Sequence, residues 1–349
     1  MIDKNRIASI VTGKRALLVH HWDADGIASA AILIEELTKL GVREIQNEVP
    51  VLGEFEMRDD WIQKIGRAPP DILITADISF PLDNLLAIRD GLGVEIVMFD
   101  HHTRPIVKEN GIIFINYCSL RDEDWPSNTY VLNDFFGREP DLLSALGLVG
   151  DKGLNILKYN DIWPKFSDHL EMESIPFEQV SDIVELLDSC YKIGRKDELM
   201  KWPNMLIGKS DNELAETVMR NEVLKSFSQE FENKIHYYYL QGLKKMDPYS
   251  LSEIHTEYHI ISALTRRFSN DNPSREVMVL NTGMFSGKTQ LYLRSKRKDL
   301  QPLIGIIHDQ GQSAGGKVDV VGAVIENSSL GQVKKLISDN LPYLNDRNQ

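Results

Sequence analysis

Acidic and imidazole side chains cluster in four short segments of this chain: HHWDADG at 20–26, Asp77, Asp100-His101-His102, and Asp151 within GLVGDKG. Brought into one pocket, Asp23, Asp25, Asp77, Asp100, His101, His102 and Asp151 would repel one another so strongly that some carboxylates would have to take up protons. Divalent cations resolve that repulsion. Mixed carboxylate and imidazole ligation suits Mn²⁺ better than an all-oxygen Mg²⁺ or Ca²⁺ site, with Co²⁺ and Zn²⁺ as further candidates. Two such ions roughly 3.5 to 4 Å apart can activate a water and clamp the attacking and leaving oxygens of an in-line displacement at phosphorus. That chemistry needs one carboxylate between the ions, and Asp77, alone in its segment, is the candidate. Taken singly, each residue has a plainer reading. An Asp after a strand is more often a helix cap or turn former, Asp151 could cap the turn GDKG, and a His pair is more often surface or satisfied core. The joint occurrence of four clusters, each at the end of an element, is what argues for a metal site.

The elements that would position them are short apolar runs alternating with helical patterns: ALLVH at 16–20, DILITAD at 71–77, VEIVMFD at 94–100 and GIIFIN at 111–116. This alternation predicts a parallel sheet with helices on both faces. Three of the runs end in the acidic or imidazole clusters, so those clusters lie at the carboxyl edge of the sheet, where ligands bind in open α/β folds. Between the runs, GIASAAILIEELTKL carries Ile27, Ala30, Ile34 and Leu37 at helical spacing and stops at Gly41, and DLLSALGLVGD forms a helix ending at Asp151.

At 349 residues the chain is long enough for two cores, and its 42% apolar and 26% charged composition is that of an ordinary globular protein. From Asp211 to Met246 a single long helical pattern repeats through Leu214, Met219, Val223, Phe227, Phe231 and Ile235. Its apolar stripe needs covering, by the first domain or by a second subunit. Past Pro248 the pattern predicts a small α/β domain. Its strands fall around VMVLNTG, KTQLYLRSK and VDVVGAVIE, with a helix DLQPLIGIIHDQ, a glycine-rich turn SAGGK and a last helix from Ser329. The net charge of −13 argues against coating duplex DNA but not against an enzyme on a short substrate. Only Cys118 and Cys190 are present and no apolar stretch is long enough for a bilayer or a signal peptide, so a cytoplasmic, membrane-free protein is expected.

HWDADG, TADIS, FDHH and GLVGDKG resemble the four successive motifs of the DHH phosphoesterase superfamily. YLRSK followed by SAGGKVDVVGAVIE is similar to the DHH-associated C-terminal domain of RecJ-type exonucleases, nanoRNases and related enzymes. The first motif, Asp-x-Asp-Gly, is closer to the RecJ type than to the nanoRNase type, and the long helical stretch is the unmatched part. The resemblance implies an α/β fold with a DHH catalytic domain over 1–185, a helical connector over 186–250 and a smaller substrate-binding α/β domain over 251–349. It implies two Mn²⁺ ions held by Asp23, Asp25, Asp77, His101 and Asp151, with His21 as a further ligand or close neighbour. Asp100 would orient the His pair through a hydrogen bond, His102 would contact the scissile phosphate or help the leaving group, and His20 would be structural. The catalytic set is thus Asp77, Asp100, His101 and His102.

In the second domain the resemblance implies substrate contacts from Arg294 and Ser295 and from the backbone of Gly315 and Gly316. Lys317 stands where the family commonly has His, and Ala314 where a further Gly is often found. Lysine keeps a positive charge without the imidazole geometry, which leaves base preference and substrate class open. The neighbouring Lys296, Arg297 and Lys298 read equally as a solvated strand edge. The function implied is a phosphodiester hydrolase, an exonuclease or oligonucleotidase on single-stranded DNA, RNA or short oligonucleotides. A phosphodiesterase for a cyclic or linear dinucleotide is the second reading. The third is a replication or repair factor of the RecJ-like type that binds the GINS complex, for which the apolar stripe would serve as a docking face, as it would for a homodimer.

Overall fold

The computed structural model describes residues 3–54 and 56–347. They form two compact units. The first runs through Tyr191 and takes in Arg195–Lys225, and the second comprises Lys192–Gly194 and the chain from Ser226 onward.

The first unit is built on five parallel strands: β1 (Arg15–His20), β2 (Glu44–Glu48), β3 (Ile72–Ala76), β4 (Glu95–Phe99) and β5 (Ile112–Ile115), in the order β2-β1-β3-β4-β5. The apolar runs of the sequence are β1, β3, β4 and β5, and β1, β3 and β4 are buried almost throughout, as strands covered on both faces must be. β2 has no such signature, because EIQNE carries Ile45 as its one apolar residue. It is an edge strand paired to β1 alone. In this order the chain leaves β1 to build outward in one direction and returns to build β3 on the other side. The crevice therefore opens at the carboxyl ends of β1 and β3.

The helix Ala24–Lys39 follows β1 and is buried on nearly every side, from Ile27 through Leu37, because the helices Asn128–Phe136 and Leu142–Lys152 pack against it. A helix apolar all round is what a core position requires. The long helical pattern is two helices, Asp211–Met219 and Glu222–Gln241, instead of one. Asn221 makes the break: its side chain accepts the Leu224 main-chain N–H at 3.0 Å, as a cap does, and restarts the helix in a new phase. Leu224 is therefore buried where Val223 was expected, and Val223 is 44% exposed. Leu214, Phe227, Phe231 and Ile235 are covered within the chain. The stripe is not a vacant docking face. The division between units falls inside Glu222–Gln241, in place of a separate connector.

The second unit has the strands β6 (Lys244–Lys245), β7 (Tyr249–Ile254), β8 (Glu276–Phe285), β9 (Lys288–Arg294), β10 (Ser313–Lys317) and β11 (Val320–Glu326), in the order β10-β11-β9-β8-β7-β6. β7 and β8 are parallel, joined through the helix Ile261–Asp271, and the other neighbours are antiparallel. One face of this sheet, with Met278, Leu280, Leu291, Leu293 and Val321, packs on Leu303, Ile307, Val333 and Ile337 of the helices Gln301–His308 and Leu330–Asn340. The expected glycine turn SAGGK is itself the edge strand β10, and the turn falls one step later, at Val318 and Asp319. Among the described residues no helix is long and apolar enough to cross a membrane.

Candidate metal centre

The carboxyl ends of β1, β3 and β4 and the last turn of Leu142–Lys152 bring the four clusters together. Three overlapping groups of ligand atoms each lie within 4.8 Å of one another: His21, Asp23 and Asp77; Asp77, His101 and His102; Asp25, His101 and Asp151. Asp77 has two faces. Its Oδ2 is 3.8 Å from His21 Nδ1 and its Oδ1 is 3.4 Å from His101 Nε2, so the two oxygens look toward different groups. The geometry is that of a carboxylate able to lie between two cations.

His101 supplies the clearest test of whether a metal fits. Its Nδ1 donates to the Trp125 carbonyl at 3.0 Å, which leaves Nε2 to take either a proton or a metal. Nε2 faces Asp151 at 2.9 Å, Asp77 at 3.4 Å and Asp25 at 3.9 Å. Neither His101 Nε2 nor Asp77 Oδ1 makes a well-formed hydrogen bond, though both atoms are buried. A lone pair set against carboxylate oxygens is favourable only with a cation between them, a proton or a metal. The donor set fits a divalent metal.

Supporting residues hold the ligands. Asp23 caps the helix Ala24–Lys39 through Gly26 N–H (3.1 Å) and lies 2.8 Å from His21 Nδ1. Asp25 accepts the main-chain N–H of Asn128 (2.7 Å) and Thr129 (3.0 Å) at the start of Asn128–Phe136. Asp100 Oδ1 accepts from His101 N, His102 N and His102 Nδ1, and its Oδ2 accepts from Ser79 (2.5 Å) and Asn116 (3.4 Å). Asp100 belongs to none of the three groups and orients the His pair. His102, tied at Nδ1 to Asp100, has a half-exposed ring. His20 is fully buried with Nδ1 at 2.7 Å from the His21 carbonyl, a structural position. Two glycines permit the approach: a Cβ on Gly26 would lie 2.3 Å from the His21 carbonyl oxygen, and one on Gly147 would lie 2.1 Å from Asp25 Oδ1. Ser79, Asn116, Trp125, Asn128 and Thr129 were not anticipated from the sequence. Pro126-Ser127-Asn128 is nevertheless a helix-start signature that points at Asn128 and Thr129.

The metal-free electrostatics are those of an overfilled pocket. Burial, then the charge of Asp151, push Asp25 up to about 6, and burial with the charge of Asp25 lifts Asp77 well above the usual range. Burial opposes the charged form of Asp23 too, but the neighbouring His21 outweighs it and holds the group down at about 2. For His101 burial is outweighed by Asp151 and Asp77, and for His21 by Asp23, so both imidazoles hold protons above their ordinary range. His20, buried without a carboxylate partner in contact, is lowered to about 4.

In the second unit Arg294 ends β9, its Nη1 3.4 Å from Asp319, and burial lowers its pKa. Ser295, expected to face substrate, is fully buried instead. Its hydroxyl donates to Glu276 (3.2 Å) and accepts the N–H groups of Arg297 and Lys298, forming the turn behind Arg294. Gly315 and Gly316 lie in the edge strand, and a Cβ on Gly316 would strike the Val320 carbonyl oxygen at 2.0 Å. Lys317 is exposed and pairs with Val320, which pairs with Arg294. The three residues share one face of the sheet, with the Cα atoms of Arg294 and Lys317 about 10 Å apart across two strand spacings.

No family model and no curated protein matches the chain. Solved structures do. RecJ from Thermus thermophilus in complex with Mn²⁺ matches 97% of this chain at TM-score 0.69 and 17% identity; the chain covers 54% of that protein, about half its length. An exonuclease RecJ bound to manganese matches 95% of this chain and 92% of its own at 0.61 and 18%. The DHH domain of a member of the s1p family of ribosomal proteins matches 97% and 88% at 0.67 and 13%. With the strand order of the first sheet and these likenesses over nearly the whole length, the chain has a RecJ-like fold.

Proposed function

We propose that this protein is a metal-dependent phosphodiester hydrolase acting as an exonuclease or oligonucleotidase on single-stranded or very short nucleic acid. The observation that carries the reading is Asp77, whose two oxygens face separate ligand groups while His101 presents a bare Nε2 to three carboxylates. The division of labour is His21, Asp23 and Asp77 on one side and Asp25, Asp77, His101 and Asp151 on the other, taking two Mn²⁺ ions or, with less suitable ligands, Mg²⁺ or Co²⁺. Bound there, the cations supply Lewis acidity and an activated water for displacement at phosphorus. Asp100 fixes the His102 ring so that its second nitrogen can meet the phosphate or protonate the leaving oxygen. Arg294 and Lys317 serve as phosphate contacts. The RecJ-type likenesses support the substrate choice and, since RecJ structures hold Mn²⁺ in two cases and Mg²⁺ in another, a divalent cation; the choice of Mn²⁺ rests on the imidazole ligands. A cytoplasmic location is part of the proposal, resting on the two buried free cysteines.

A phosphodiesterase for a dinucleotide is favoured by one observation, the net charge of −13, because a short ligand needs few backbone contacts. The scaffold reading loses its docking stripe, which the chain itself covers. The test is Mn²⁺-dependent hydrolysis of 5′-labelled single-stranded DNA, the matching RNA and a dinucleotide, side by side. Processive loss of the long strands supports the exonuclease, and activity confined to the dinucleotide supports the second reading. All three substrates intact would overturn both.

A further inference from the structure

A cavity of about 630 Å³ adjoins the centre, with Asp77 and His102 among its lining residues and the segment just after the His pair along its wall. That volume lies within the range of small-molecule sites, roughly 300 to 1,000 Å³. Its lining combines two chemistries. Leu82 and Ile106 are large apolar side chains left 39% and 43% exposed on the same wall, giving the cavity an apolar side. Arg104 and Lys108 add positive charge from the same segment, set against the carboxylates of Asp77 and, at the segment's far end, Glu109.

Arg104 is held in place without being satisfied. Its Nη2 donates to the Phe80 carbonyl at 2.6 Å, and its main-chain N–H donates to Ser119. Its Nε and Nη1 are buried and have no acceptor among the described residues. Leaving guanidinium N–H groups without an acceptor in a desolvated place is unfavourable, and an anion arriving in the cavity is the natural relief, after a small shift of the side chain. Apolar walls alone would suit a lipid-like ligand and cations alone a free phosphate. Both together, beside the groups assigned to the scissile phosphate, suit the nucleoside next to it.

We infer that this cavity seats a nucleoside phosphate, free or at the end of a strand, with the base against Leu82 and Ile106 and the phosphate toward Arg104 and Lys108. The inference rests on the phosphodiesterase reading for its ligand class. Because Arg104 follows His102 by two residues, occupation of the cavity and the setting of the His102 ring involve one loop.

The test is calorimetric titration of the full chain in excess chelator with AMP, a dinucleotide, adenosine and inorganic phosphate. AMP or the dinucleotide is expected to bind at least tenfold more tightly than adenosine or phosphate. Ile106→Ser, Lys108→Ala and Arg104→Gln are each expected to weaken that binding about tenfold with the thermal midpoint kept within a few degrees. A tighter dinucleotide marks a strand end and a tighter AMP a free mononucleotide, and either order supports the site. No nucleotide binding, binding untouched by Ile106→Ser and Lys108→Ala, or phosphate alone binding as tightly as AMP would overturn it. Since no metal or turnover is involved, a wild-type protein that binds nucleotide but hydrolyses nothing sinks the hydrolase reading alone.

Discussion

Asp77 holds its backbone at φ 58°, the left-handed region that most side chains avoid and that Asn tolerates at least as well as Asp. This separates its charge from its shape. Asp77→Asn keeps the backbone and removes one of several crowded carboxylates, so metal-free stability is expected to rise while Mn²⁺ binding and turnover disappear; thermal melts with and without Mn²⁺ read both. Asp77→Ala adds backbone strain of about 1 kcal/mol or more and is expected to lose metal without that gain in stability. His101→Ala is likewise expected to abolish turnover. The same crowding sets a pH dependence. Asp25 rises from 3.8 to about 6 on folding, so the native state binds more protons than the unfolded chain between those values, and stability falls as pH rises through that window. Asp77 and His101, raised as well, extend the decline upward. His20 and His259, lowered to about 4, push the other way between pH 4 and 6.5, so the contribution of Asp25 is read against Asp25→Asn: over this window the melting temperature in chelator is expected to move downward with pH by more in the wild type than in the variant, with Mn²⁺ releasing protons as it binds the wild type. Identical pH dependence in the wild type and Asp25→Asn would contradict the raised pKa of Asp25.

At the scale of elements, the centre depends on how closely the helix Leu142–Lys152 approaches Asp25. Gly147→Ala would place a methyl group 2.1 Å from both Asp25 Oδ1 and Thr129 Oγ1, so it is expected to cost roughly 1 to 3 kcal/mol and to weaken Mn²⁺ affinity, checked by denaturant melts and metal titration. A Gly147→Ala protein with unchanged Mn²⁺ affinity would show that the helix can retreat without disturbing the site. The strands that carry the candidate ligands were legible because burial on both faces writes a continuous apolar run, as in ILITA and EIVMF. β2 was not, since an edge strand needs little apolar character, and neither were β7 and the crossover helix Ile261–Asp271. The candidate ligands stood out because acidic residues recur at strand ends. Their supports Asn116 and Asn128 did not, because an amide beside a turn reads the same whether or not it holds a carboxylate. Ser295 misled for the opposite reason: a hydroxyl beside an arginine looks like a phosphate contact until its burial is seen.

For the whole molecule, an excess of thirteen negative charges means that nucleic acid is attracted only where the cations have been gathered. Binding of a single-stranded oligonucleotide is expected to weaken with salt along a shallow line. A log–log slope of about −2 corresponds to two or three phosphates at roughly −0.7 each. A slope several times steeper would mean a contact track of many more phosphates than a short strand end offers.

Asp25 does two jobs at once, since the carboxylate that faces His101 also receives the first N–H groups of the helix Asn128–Phe136. Asp100 is likewise bound into the loops it joins, whereas Asp151 and His102 have no comparable duty to the fold. A library of variants sorted only for folded protein should therefore retain Asp25 and Asp100 while letting Asp151 and His102 drift. A lineage released from catalysis would erode its centre in the same order, keeping an acidic relic at the heart of an inert scaffold.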